Sequence, residues 1–191
     1  MLPRDFFHLE QLDGLRVLRL QSYDGTNRLT RACVAALTDA LRNLEQDAES
    51  LLVAGNEKFF SVGADLTEIA ALNGPEAYEF SRMGQTLMNI VERFPVPVYA
   101  AITGYCLGGG LDLALACHRR IASSNAVLGH RGAALGLITG WGGTQRLPRL
   151  VVERISALKP DLFAGDGFHP NRRAHAIWGE EIAALALPFV A

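Results

Sequence analysis

No apolar run in this 191-residue chain reaches the roughly 18 residues that a membrane-spanning helix requires. The opening stretch MLPRDFFHLEQLDG also lacks the long apolar core of a secretory leader. Charge of one sign is scarce: the formal net charge is −2 and no basic block occurs, so nucleic-acid binding has no compositional support. Cysteine is scarce and odd in number. Cys33, Cys106 and Cys117 lie in apolar stretches, which predicts buried, reduced thiols in a cytoplasmic protein. His118, His169 and His175 have no spacing suited to a metal, so none is expected. The phosphate-loop pattern G-x-x-x-x-G-K-[ST] is missing, and no G-x-G-x-x-G opens the chain, which argues against nucleotide and dinucleotide sites. No repeat of solenoid period and no low-complexity linker is found.

What remains is an ordinary globular composition, 49% apolar and 20% charged, long enough for one domain with a full core. Phe6 to Leu12 and Leu15 to Leu20 alternate around Asp13-Gly14, a hairpin signal. Ser22 to Asn27 is a turn cluster. Apolar residues at 29, 33, 34, 37, 41 and 44 predict a helix over 29–44, capped by Asn27 or Thr30. Leu51 to Gly55 reads as a short buried strand, and EKFFSVGADLTEIAAL as a loop whose Gly63 precedes a helical pattern from Asp65. A second helix is predicted over 75–94 with Pro75 in its first turn, and then a strand over 96–102. A further helix is expected after Leu150, ended or kinked near Lys159 by Pro160. Short strands alternating with helices argue for α/β units around a partly parallel sheet.

The informative stretch is 97–146, PVYAAITGYCLGGGLDLALACHRRIASSNAVLGHRGAALGLITGWGGTQR. An apolar run meets Gly104, then Gly108, Gly109 and Gly110, then a short helical stripe. Without Cβ atoms the backbone can turn sharply and approach a ligand closely. N–H groups at a helix start are unpaired within the helix and sit at its positive end, suiting a phosphate, a carboxylate or a developing oxyanion. The structural reading of the same residues is a tight strand-to-helix turn. If the strands before Gly63 and before Gly108 are neighbours, both loops lie at one sheet edge and their N–H groups converge there.

FFSVGADL, AAITGYCLGGGLDLALAC and LGLITGWGGTQRL, with GTNRLT before them, closely resemble the enoyl-CoA hydratase/isomerase (crotonase) superfamily from about Leu15 to about Gly179. The resemblance implies a spiral of ββα units that binds an acyl-CoA thioester, with coenzyme A as part of the substrate and no separate cofactor. It implies that the N–H groups of Ala64 and Gly109 hold the thioester oxygen as it becomes an enolate. It also implies that the neighbouring Gly63, Asp65, Leu66 and Gly108 border the substrate. Of two glutamates typical of a hydratase, the first position falls on Asp112 and the second on Gly132, which has no proton-transfer group.

Several side chains have two readings. Asp112 is either the acid/base or a carboxylate favoured in a first helical turn, where the dipole promotes its ionised form. Imidazole exchanges protons near neutrality, so His130 is a candidate substitute base as well as a structural histidine. Arg131 reads as a surface charge. Asp65 and Glu68 have capping readings, Tyr105 and Trp141 could line an acyl pocket or simply pack, and Gly140 offers no further carboxylate. Arg28 and Lys58 are candidates for the CoA phosphates. The resemblance implies a core over 1–179, with a tail over 180–191 replacing the helices that usually cover the CoA and build a homotrimer or hexamer. The functional expectation is an atypical enoyl-CoA hydratase or isomerase. The alternative is a non-catalytic acyl-CoA-binding protein.

Overall fold

The structure, a computed structural model, describes residues 6–12 and 15–158. The expected hairpin forms from β1 (Phe7–Leu12) and β2 (Leu15–Leu20), paired antiparallel from Phe7↔Leu20 to Leu12↔Leu15. Its turn at Asp13-Gly14 lies outside the described residues, as do Pro160, His169, His175 and both sides of the boundary expected at residue 179. After β3 (Arg28–Leu29), α1 (Arg31–Leu44) starts at Thr30, whose hydroxyl accepts the Cys33 N–H. Cys33, Val34, Leu37 and Leu41 are buried on its inner face, as the helical period predicts.

The rest of the fold is built by repeating one step. β4 (Leu51–Ala54) is followed by β5 (Phe59–Ser61), then β6 (Gly63–Ala64), α2 (Leu66–Ala70) and α3 (Gly74–Glu92). β7 (Val98–Ile102) is followed by β8 (Tyr105–Leu107) and α4 (Gly109–Ala116). β9 (Arg119–Ala122) is followed by β10 (Val127–Gly129) and α5 (Gly143–Leu158). The first strand of each step joins one sheet, in the order β1-β2-β4-β7-β9. The second joins a smaller parallel sheet, in the order β10-β8-β5. Successive steps therefore stack beside one another, and a two-stranded pair, β3-β6, ties the start of α1 to the Gly63 loop. α3 opens with a capping box between Asn73 and Glu76 and carries Pro75 in its first turn, as expected. Its buried Phe80, Leu87, Met88 and Val91 join the core of α1 and the large sheet.

Two expectations need correcting. The segment 57–62 is not wholly loop, because β5 lies in it; a three-residue strand is too short to leave a readable alternation. The last described helix starts at Gly143 rather than after Leu150 and contains Pro148. Pro148 gives up the N–H that would reach the Thr144 carbonyl and crowds that carbonyl, a local cost near the helix start that does not end the helix. All three cysteines are buried and free, and burial pushes the Cys33 and Cys117 thiols up to about 12. Among the described residues no helix is long and apolar enough to cross a membrane.

Candidate active site

β5 and β8 are parallel neighbours, so their carboxyl ends lie side by side and the two glycine loops meet. Gly63 has φ +88°, and a Cβ there would stand 2.6 Å from the Leu107 carbonyl and 2.7 Å from the Gly109 nitrogen. Only glycine combines that left-handed backbone with so close an approach. The Ser61 hydroxyl donates to the Asn27 carbonyl and accepts the Gly63 N–H, which braces the turn. Asn27, at φ 54°, donates through Nδ2 to the carbonyls of Phe59 and Phe60 and so pins β5. On the other side, Gly109 opens α4, where its N–H has no acceptor inside the helix. A Cβ on Gly109 would lie 3.4 Å from the Ala64 nitrogen and would strike the Trp141 ring. Thus the backbone nitrogens of Ala64 and Gly109 come together at one sheet edge.

α4 is buried on every side, Asp112 included, at 1% exposure. The Asp112 carboxylate has identifiable neighbours. The Thr139 hydroxyl donates to Oδ2, and His130 Nε2 stands 3.4 Å from Oδ1. Neither Oδ1 nor Nε2 makes a well-formed hydrogen bond, although both atoms are buried. The N-terminus of α5 arrives at the same place, with the Gly143 N–H favouring the charged carboxylate. Burial nevertheless outweighs Thr139, His130, Arg146 and Gly143 together, and the Asp112 carboxyl lies above its ordinary value. The first-turn dipole expected to favour the ionised form is thus overridden, because desolvation in an all-buried helix exceeds it.

A cavity of about 660 Å³ opens over this frame. Ala64, Gly108, Gly109, Asp112, His130 and Trp141 all line it, as do Asp65, Leu66, Arg131, Gly132 and Gly140. Much of the remaining wall is apolar, with Ile69, Leu72 and Phe80 on one part and Leu137 and Ile138 on another. Trp141 packs edge-on to Phe80 and donates to the Phe80 carbonyl. Asp65 also caps α2 by accepting the Thr67 and Glu68 N–H groups, while Glu68 accepts the Arg31 N–H. Of the two candidates for phosphate contact, Arg28 lines the cavity and pairs with Asp24 at 2.9 Å and Asp65 at 3.6 Å. Lys58 does not line it. Tyr105 lies outside it too, stacked on Phe59 with centroids 5.6 Å apart. His118 holds the strand framework, accepting the Val98 N–H. Among the described residues no three His, Cys, Asp or Glu side chains are grouped to hold a metal.

Sequence reasoning missed Thr139, Gly143 and Arg146. Their segment, LGLITGWGGTQRL, is distinctive as a motif, but its pattern does not show that the loop holding Thr139 and the early start of α5 meet at Asp112.

Residues 10–157 match the family model described as Enoyl-CoA hydratase/isomerase. Over 128 residues the chain is 46% identical to a Probable enoyl-CoA hydratase of Bacillus subtilis (strain 168), covering 65% of this chain and 50% of that protein. It is 40% identical over 146 residues to a Crotonyl-CoA hydratase of Syntrophomonas wolfei subsp. wolfei, covering 75% of this chain and 56% of that one. The chain therefore spans about half the length of the curated relatives it matches. A solved Enoyl-CoA Hydratase from Bacillus anthracis superposes with TM-score 0.72 at 38% identity, covering 80% of this chain and 61% of that one.

Proposed function

The chain belongs to the enoyl-CoA hydratase/isomerase family, and its α/β architecture is the crotonase fold; on that premise we propose that it processes an acyl-CoA thioester through an enolate. The observation that carries this reading is the convergence of the Ala64 and Gly109 nitrogens beside a buried carboxylate. Two N–H donors aimed at one oxygen stabilise the charge that develops there, each worth about 3 kcal/mol in a dry site. Asp112 is the acid/base. It follows Gly109 by one turn of α4, so the group that moves the α-proton is fixed to the helix that holds the oxygen. Asp65, Leu66 and Gly108 border the thioester, and Trp141 and Phe80 wall the acyl side. Gly63, expected beside the substrate, does not line the cavity and acts through the turn that sets Ala64 against Gly109. Coenzyme A enters with the substrate and no other cofactor is used. Assembly as a homotrimer or hexamer, and a cytoplasmic setting, belong to the same reading.

A hydration or a double-bond shift would each use this frame. Gly132, with no titratable side chain, favours a second reading in which the protein binds acyl-CoA without turning it over. Following loss of the conjugated double bond of crotonyl-CoA separates the two. Turnover that falls by ~10²-fold or more in Asp112→Asn, with acyl-CoA binding kept, supports the enzyme. Binding without turnover in the parent supports the second reading.

A further inference from the structure

Resting on the acyl-CoA reading above, we infer that His130 is the second proton-transfer group of this site, coupled to Asp112, and that the couple hydrates a 2-enoyl thioester.

The geometry carries this. His130 Nε2 and Asp112 Oδ1 face each other at 3.4 Å at the wall of the cavity, each buried and neither satisfied by a hydrogen bond. A histidine and an aspartate kept merely as a structural pair would be expected to close that gap, because an unsatisfied buried polar atom costs about 1–3 kcal/mol. Instead Asp112 is held by other groups. The Thr139 hydroxyl takes Oδ2, and Gly143 packs against both Oδ1 and the imidazole. Oδ1 and Nε2 are thereby presented together at the cavity wall.

Exposure divides the labour between them. The Asp112 side chain is 2% exposed and stands on α4 three residues after Gly109, whereas the His130 side chain is 23% exposed. Nε2 itself is buried, so water meets the imidazole on the rest of the ring. In this scheme the proton is taken up at Nδ1 and leaves from Nε2, and the buried carboxyl serves the carbon next to the thioester. In the hydration direction, His130 accepts a proton from water as the water oxygen bonds to C3. The electron pair of the C2–C3 double bond moves toward the thioester oxygen, held by the two N–H groups. The enolate then collapses, and C2 takes the proton of the Asp112 carboxylic acid. One C–O and one C–H bond form, and one O–H bond of water and one π bond break. His130 is left protonated and Asp112 ionised, and one proton passing from Nε2 to Oδ1 restores both. The 3.4 Å separation suits that return step. Gly132 then needs no carboxylate of its own.

The test compares two reactions of the full chain. One is hydration of crotonyl-CoA; the other is exchange of the α-protons of butyryl-CoA in D₂O, which needs the oxyanion frame and Asp112 only. His130→Gln and His130→Ala are expected to lower hydration by ~10²- to 10⁴-fold. Exchange should fall by less than about tenfold, and added imidazole should recover part of the hydration of His130→Ala. Butyryl-CoA binding by calorimetry reports whether each variant retains its site. Hydration by folded His130→Gln within about tenfold of the parent overturns the role of His130 and leaves the enolate reading standing. Exchange without hydration in the parent does the same. A parent that binds the esters but neither exchanges nor hydrates overturns the enolate reading, and the inference falls with it.

Discussion

Gly143 closes directly on Asp112: a Cβ at residue 143 would run into Oδ1 and come within 2.9 Å of His130 Nε2. The glycine that begins α5 thus sets the position of the proton-transfer pair. In a helix, alanine is ordinarily better than glycine by about 1 kcal/mol. Gly143→Ala is expected to reverse that sign, costing about 1–3 kcal/mol through overpacking. Displacing the pair should also lower crotonyl-CoA hydration by ~10²-fold. Urea unfolding and steady-state kinetics check both. A more stable, fully active Gly143→Ala protein would contradict the packing described.

Asp112→Asn should have a stability signature separate from its effect on turnover. Burial is the largest influence on the carboxyl and raises it above 3.8, against the Thr139 hydroxyl, His130, Arg146 and the Gly143 N–H. The folded protein therefore holds this proton more tightly than the unfolded chain does. The stabilising contribution is complete below the unfolded value and is lost as pH rises through the folded one. Asparagine carries no charge and can still accept from Thr139. The stability of Asp112→Asn relative to the parent should grow as pH rises above the ordinary carboxyl value of 3.8, as read by urea unfolding across a pH series. A constant difference across that range would mean that the carboxylate is not held against burial.

The glycine frame is legible in the sequence because close backbone approach forces residue identity at Gly63 and Gly109. The helices are legible from their periods, caps and first turns, as Thr30, Asp65 and Pro75 illustrate; the Asn73 cap of α3 emerges only in the structure. The repeated step is hidden, since its turns begin at Leu51, Val98 and Arg119, at unequal spacing, and no fixed period results. β5 and β8 are too short to alternate visibly. Thr139 reaches Asp112 from 27 residues further along, through a loop with no periodic signal. Likewise, the raised carboxyl follows from burial of the whole of α4, which is a property of packing and not of the first-turn position that the sequence displays.

Arg146 anchors the other end of this arrangement. Buried at 7% exposure, it donates to Glu92 at 2.8 Å, to Asn89 at 2.8 Å and to the Trp141 carbonyl at 3.1 Å. Burial raises the Glu92 carboxyl, but hydrogen bonds from Arg149 and Arg146 outweigh it and hold it below its usual value. Arg146→Met keeps the volume and removes every donor. With Glu92 partly exposed and still paired to Arg149, the cost is expected at about 2–3 kcal/mol, below that of a fully buried broken pair. The same change frees the start of α5 and should weaken acyl-CoA binding. Unfolding followed by tryptophan fluorescence measures the first effect and calorimetry the second. A loss below about 0.5 kcal/mol would show that Arg146 is not an anchor.

Gly132 lines the same cavity as His130, two residues further along and in a short 3-10 turn, Arg131–Leu135. A side chain there meets little: a Cβ would come 3.3 Å from the Leu137 Cβ, and Leu137 is itself 36% exposed and free to shift. The loop is closed by the Leu137 N–H on the Gly132 carbonyl, a backbone bond that a substitution leaves in place. Gly132→Glu would therefore bring a carboxylate into the cavity at modest structural cost. In a His130→Gln background it should recover hydration of crotonyl-CoA by about tenfold or more, because the added base replaces the missing imidazole. In the parent, where His130 already serves, the same substitution should change the rate by less than about tenfold. A silent parent with an active Gly132→Glu single variant would instead identify an enolate site that lacks its second proton-transfer group, and would assign the parent to binding.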